Sequence, residues 1–343
     1  MKTQHFLIII VMLLLSFAGC REITVKTTIH EDGSFTRLII VRGDDSSGVF
    51  NAALPYPINA SWQRSLVFDS TTKNKPYTLT YTKKYSNSDE LNAEIQSDTS
   101  WRKQIVRSTH IDKRFGFFYS YLSFNETIKE TNPFTNLNYH DYLTDDDINL
   151  LKGNVLLINE ADSTRFELAD KKAEEFIITS LSSGIALDLQ KGIKQLNSPT
   201  LNHEDVLKYM DSITKKVEEF ETGDNEIFID YYASWTGNTE VLQLKEIEPP
   251  LFAESNKQME LFFQIFTMEN YNQVVEMPGL LTETNSISPI GNQVNWRVDP
   301  IAFVFADYTM YAESRVVNYW AFVVTGVVIL LFIILLIVKA FRK

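Results

Sequence analysis

The stretch ITVKTTIHEDGSFTRLIIV, Ile23 to Val41, decides how the chain folds. Ile23, Val25, Thr27 and Ile29 alternate with polar neighbours, and beyond Glu31, Asp32 and Gly33 the apolar pattern resumes at Phe35, Leu38, Ile39 and Ile40. A period of two sends every second side chain to the same face of a strand. Asp-Gly between two such runs marks a hairpin, because glycine accepts the positive φ that the turn requires. The chain therefore opens on paired strands.

Moving outward, Thr78, Thr80 and Thr82 alternate with Leu79 and Tyr81, and residues 104–111 keep a β-rich composition. From Arg114 to Ile128, Phe115, Phe117, Tyr119 and Tyr121 share one parity and Phe118, Leu122 and Phe124 the other. This pattern predicts a single central strand, covered on both faces. Residues 131–142 read as a connection. Thr144 followed by Asp145, Asp146 and Asp147 reads as a helix start, not a calcium loop, which needs alternating ligands, a turn glycine and a distant glutamate.

Helical spacing follows at Phe166, Ala169, Ala173, Phe176, Ile177 and Leu181, within 165–194. A second helix is expected over 204–220, capped by Asn202, with others over 227–244 and 251–266. Strand patterns return at 271–277, 293–298 and 302–312. The order of strands, helices and strands predicts an α+β domain. Its antiparallel sheet is built from an N-terminal part (20–143) and C-terminal strands (267–315), with a helical insertion at 144–266.

Two apolar segments flank that domain. Residues 6–15 form a run of signal-peptide length, too short to span a bilayer, and Ala18 and Gly19 precede Cys20, the chain's only cysteine. Residues 1–19 are expected to be a lipoprotein signal peptide, with Cys20 carrying the lipid (palmitate or a similar acyl group). Residues 316–338 contain no charge, and at ~1.5 Å per residue they would cover about 34 Å of helix, enough to cross a membrane. Tyr319 and Trp320 suit one interface. Lys339, Arg342 and Lys343 suit the other and assign residues 339–343 to the cytoplasm. The main domain is then extracytoplasmic, and both attachments are expected in one bilayer, the cytoplasmic (inner) membrane.

Lys2, Lys339, Arg342 and Lys343 are four of the 32 basic side chains, so residues 21–316 set 28 against 44 acidic ones, a balance of −16. Such a surface repels nucleic acid, which is not expected as a partner.

Met277, Pro278 and Gly279, then Asn285, then Gly291 to Trp296, then Ala312, Glu313 and Ser314 ahead of the terminal apolar helix, resemble the end of LppM-like bacterial lipoproteins. The resemblance spans about forty residues plus the overall layout. It implies a β-rich outer domain and a role in lipid binding.

Catalytic and cofactor patterns are sparse. His5, His30, His110, His140 and His203 are scattered without the i, i+4 spacing of a zinc helix, and no metal or cofactor is expected. His140 with Asp141 is the one pairing that invites a test. Ser212 and Lys215 match a Ser-x-x-Lys spacing, but the companion motifs of penicillin-interacting enzymes are missing. The expected function is that of a membrane-anchored envelope lipoprotein whose domain binds an envelope lipid, polymer or protein without catalysis. The alternatives are an extracytoplasmic hydrolase with carboxylates assembled by the fold, and a scaffold for membrane proteins.

Overall fold

In the computed structural model the opening alternation becomes a hairpin. β1 (Glu22–Ile29) pairs antiparallel with β2 (Phe35–Gly43), Ile23 lies opposite Val41 and Ile29 opposite Phe35, and Gly33 turns the chain at φ 90°. The structure describes residues 21–72, 74–153, 155, 159–219 and 225–341. Its further strands are β3 (Gln63–Phe68), β4 (Tyr77–Tyr85), β5 (Arg107–Phe115), β6 (Tyr119–Ile128), β7 (Tyr271–Glu276), β8 (Leu280–Thr284), β9 (Gln293–Val298) and β10 (Tyr308–Val317).

The fold is α+β, and its strands form a six-stranded sheet, β3-β4-β2-β1-β7-β9, and a four-stranded sheet, β5-β6-β10-β8. Every pairing is antiparallel except β1 with β7, where the first and seventh strands run side by side. The last four strands alternate between the sheets, so the C-terminal part completes both. Between the sheets lies one apolar core, which includes Val25, Phe35, Ile39, Leu79, Phe124, Val275 and Met310.

Two local expectations are corrected. Residues 114–128 are not one strand: Gly116, Phe117 and Phe118 turn the chain between β5 and β6, leaving Phe115, Phe117 and Phe118 exposed. Their aromatic alternation continues through the turn, which is why the pattern reads as unbroken. Residues 302–307 are not strand either, because Asp299 caps a short 3-10 turn with Pro300 at its start. β3, which is exposed along its whole length, and β8, which buries no residue fully, carry too little apolar alternation to be legible.

The insertion contains α3 (Asp145–Leu151), α4 (Glu160–Leu196), α5 (Met210–Glu218), α6 (Ile227–Thr236) and α7 (Ala253–Thr267); α1 (Ser46–Phe50) and α2 (Ser88–Gln96) precede it. Thr144 and Asp147 form a reciprocal capping box at the start of α3, as the aspartate run suggested. Asn202 caps a 3-10 turn, His203–Tyr209, that leads into α5, and Gly237 at φ 67° ends α6 short of the expected boundary. The far half of α4 builds a second core with α5 and α6, through Ile185, Leu189, Ile213, Phe228 and Tyr232.

An ionic clasp fastens the two sheets. Glu126 of β6 accepts a hydrogen bond from Arg37 of β2 at 2.9 Å, another from Thr109 of β5 at 3.0 Å, and one from the Tyr56 hydroxyl. Arg107 of β5 lies 3.5 Å from the same carboxylate, and both guanidiniums sit over the Tyr56 ring, at 4.5 and 4.4 Å. Arg37 and Glu126 are fully buried. Burial pushes the Glu126 carboxyl up, but Arg37, Arg107 and the Tyr56 hydroxyl outweigh it and hold the group below its ordinary range.

A carboxylate depressed in the folded state stabilises the fold above its unfolded pKa, and that contribution is lost as pH falls through the folded pKa. Glu126→Gln strands two buried cations and is expected to cost about 3–5 kcal/mol at pH 7. Urea midpoints of the detergent-solubilised protein should show this gap, and it should narrow below about pH 4.3, the ordinary glutamate value. A gap that is absent at pH 7 or constant down to pH 3 contradicts the role given to the clasp.

Candidate membrane junction and flank groove

α8 (Tyr319–Phe341) follows β10 almost without a break. It starts at Tyr319, not Val316, because Val316 and Val317 still pair with Ser120 and Tyr119 of β6. Its 23 residues, at ~1.5 Å each, measure about 34 Å against a hydrocarbon core of roughly 30 Å. The helix is long and apolar enough to cross a membrane, and nearly all of its side chains face outward. Tyr319 and Trp320 are exposed at its start, and Lys339 lies in the last turn. The other residues assigned to attachment, Cys20, Arg342 and Lys343, lie outside the described residues.

The junction is braced from two sides. The Asn318 side chain donates to the carbonyls of Gly116 at 2.7 Å and Phe117 at 3.2 Å, its amide donates to the Phe118 carbonyl, and Ser120 donates to its side-chain oxygen. On the other flank Gly279 takes φ 74°, and a Cβ there would stand 2.3 Å from the Arg315 carbonyl oxygen. Only glycine fits so close to the final strand. With β10 paired on both edges, the helix rises from the interior of a sheet and not from a loose tether.

The register gives the domain two poles. Tyr308 and Arg107 both lie level with Ile128, at the end of the small sheet away from α8. The Arg107 guanidinium sits 5.7 Å from the Tyr271 ring, Tyr271 pairs with Ile23, and Arg21 bonds Glu269 at 2.8 Å just beyond. From Tyr308 to Val317, at roughly 3.3 Å per residue, is about 30 Å. Arg21 therefore occupies the pole opposite the helix. The helical insertion also leaves from that pole, since β6 ends and β7 begins there.

On the flank of the large sheet is an open groove of about 330 Å³. Thr24, Asn272 and Arg297 line it from β1, β7 and β9, with Asn285 and Ser288 from the loop after β8. The Asn285 side chain accepts from the Trp296 indole at 3.0 Å and the Tyr311 amide at 2.9 Å, and donates to the Thr309 carbonyl at 2.7 Å. Asn285 and Trp296 thus stitch the crossover between sheets. No sequence pattern announced the groove, because its walls join β1 to strands that come after the helical insertion, Thr24 lying opposite Asn272.

Other expected chemistry is dispersed. His140 and Asp141 are exposed on a 3-10 turn, where the His140 ring lies tilted 4.3 Å from that of Tyr139. Ser212 and Lys215 lie on α5, whose buried residue is Ile213. Asp299 is raised by burial, and Asp170 is raised by burial and then by the charge of Asp299, yet neither lines the groove. Among the described residues, no three His, Cys, Asp or Glu side chains converge as a metal set. No family model matches the chain, and no curated protein or solved structure matches it either.

Asn318→Ala removes the side-chain bonds that brace the β5–β6 turn, worth about 1 kcal/mol each. Hydrogen exchange in reconstituted protein is expected to speed up at residues 116–119 while β1 and β2 stay protected. Unchanged exchange at the turn would show that the asparagine does not hold it.

Proposed function

We propose that this chain is an envelope membrane protein, anchored by α8, whose extracytoplasmic α+β domain is a non-catalytic binding module. The observation that carries this reading is the braced passage from β10 into α8, which mounts a folded domain directly on a spanning helix. Lys339 in the last turn, with Arg342 and Lys343 beyond it in the sequence, supports a cytoplasmic C-terminus. The LppM-like resemblance supports the same layout.

The groove favours an uncharged, hydroxyl-rich polymer of the envelope as the ligand. Its amides, threonine and guanidinium offer donors and acceptors without a carboxylate, and the acidic balance of the domain turns polyanions away at long range. Retention of the full-length protein on insoluble envelope polymer is expected to weaken about tenfold, or about 1.4 kcal/mol, in Arg297→Ala with Asn272→Ala. Equal retention would move binding away from the groove. A scaffold role draws support from the insertion, whose separate core leaves Leu187, Leu207 and Leu242 exposed.

Lipidation of Cys20 belongs to the same proposal, with a changed geometry. Its neighbour Arg21 is pinned about 30 Å from the helix start along a strand rising roughly 3.3 Å per residue. A lipid on Cys20 and α8 share one bilayer, as expected from the sequence, if the first residues of β1 unpair. Labelled palmitate should enter the protein and be lost in Cys20→Ser; incorporation that survives the substitution removes the lipid anchor from the account. Protease outside intact spheroplasts should digest residues 21–316. Digestion only in inside-out vesicles would reverse the proposed orientation.

A further inference from the structure

At the foot of the domain the small sheet projects past its neighbour. The last four residues of β5, Asp112 to Phe115, are exposed whichever face they occupy. Beyond them the turn presents Phe117 and Phe118, so that three phenylalanines are exposed at 65, 47 and 38%. Leu280, which starts β8 opposite Arg315 at the same end of the sheet, is 58% exposed. Water makes such a patch costly, at about 25 cal/mol per Å² of apolar surface, and a patch of this kind marks a contact surface.

The neighbours of the patch identify the contact. Phe115 stacks on Trp320 at 6.2 Å, Phe117 meets the same indole edge-on at 5.4 Å, and Phe118 lies 4.9 Å from Phe322. The turn is thus level with the first turn of α8. That helix is longer than a hydrocarbon core by about 4 Å, so its first turn belongs in the headgroup layer, where aromatic rings are favoured. Just above, Arg114 lies over Tyr121 and Arg315 over Tyr119, each at 5.0 Å, with Arg114 also 3.8 Å from Glu313. Apolar tips below and guanidiniums above match the layering of a lipid interface.

We infer that the β5–β6 turn is a second membrane contact, with Phe115, Phe117 and Phe118, joined by Leu280, inserted into the outer interface of the bilayer that α8 crosses. This rests on the reading of α8 as a spanning helix. Two contacts side by side fix the tilt of the domain as well as its height, which one helix emerging from a flexible linker does not do.

Three single-label variants of the full chain, Phe117→Cys, Phe332→Cys in the middle of α8 and Ser65→Cys on β3, test it in a Cys20→Ser background. Each is coupled to an environment-sensitive fluorophore and reconstituted in phosphatidylcholine vesicles containing spin-labelled lipids. The label at 117 should lose more fluorescence to a headgroup-level quencher than to a mid-chain quencher, the label at 332 should do the reverse, and the label at 65 should respond to neither. Quenching at 332 without quenching at 117 overturns the second contact and leaves the spanning helix standing. No quenching at either overturns both. Phe118→Cys repeats the reading from a neighbouring position, so one disturbed turn does not decide the outcome.

Discussion

The buried contact of Arg37 and Arg107 with Glu126 is the constraint on which the architecture depends. Hydrophobic packing draws two sheets together but tolerates small slides, because it has little direction. A carboxylate that must face two guanidiniums, a tyrosine hydroxyl and a threonine inside the core tolerates almost none. Its partners come from β2, β5 and the loop carrying Tyr56, so the clasp ties the N-terminal hairpin to the sheet that runs on into α8. Register between the sheets follows, and with it the placement of both poles.

From that register the domain acquires a direction. β10 carries it downward into α8, braced by Asn318 and by the close approach of Gly279. At the other end the helical insertion continues outward on the long α4, which packs in both cores. The aromatic turn beside α8 and the helical insertion lie at opposite ends of the sheets, with the groove on the flank between them.

Much of this was legible along the chain and some was not. The Asp-Gly hairpin, the Thr144 cap and the apolar terminal helix depend on neighbours in sequence, so spacing alone revealed them. Phe115, Phe117 and Phe118 read as core because strand parity cannot tell a ring packed inside the protein from one left exposed at a turn; both are apolar. No spacing marks Arg37, Tyr56 and Glu126 as partners, since Arg37 and Tyr56 reach Glu126 from 89 and 70 residues away. The groove was hidden for the same reason. The position of Arg21 opposite the helix follows from β1 running parallel to β7, and no local pattern distinguishes that from the antiparallel arrangement.

With α8 proposed to cross the bilayer, the N-terminal edge of the domain stands far from the lipid, at the opposite end of β10. Energy transfer from a fluorophore on Ser46→Cys, in α1 beside Arg21, to acceptors in the outer lipid surface measures that height in the reconstituted full-length protein. The predicted separation is about 30 Å, the length of β10 at roughly 3.3 Å per residue. Transfer as efficient as that from a label at the foot would place both ends at the membrane and contradict the upright domain.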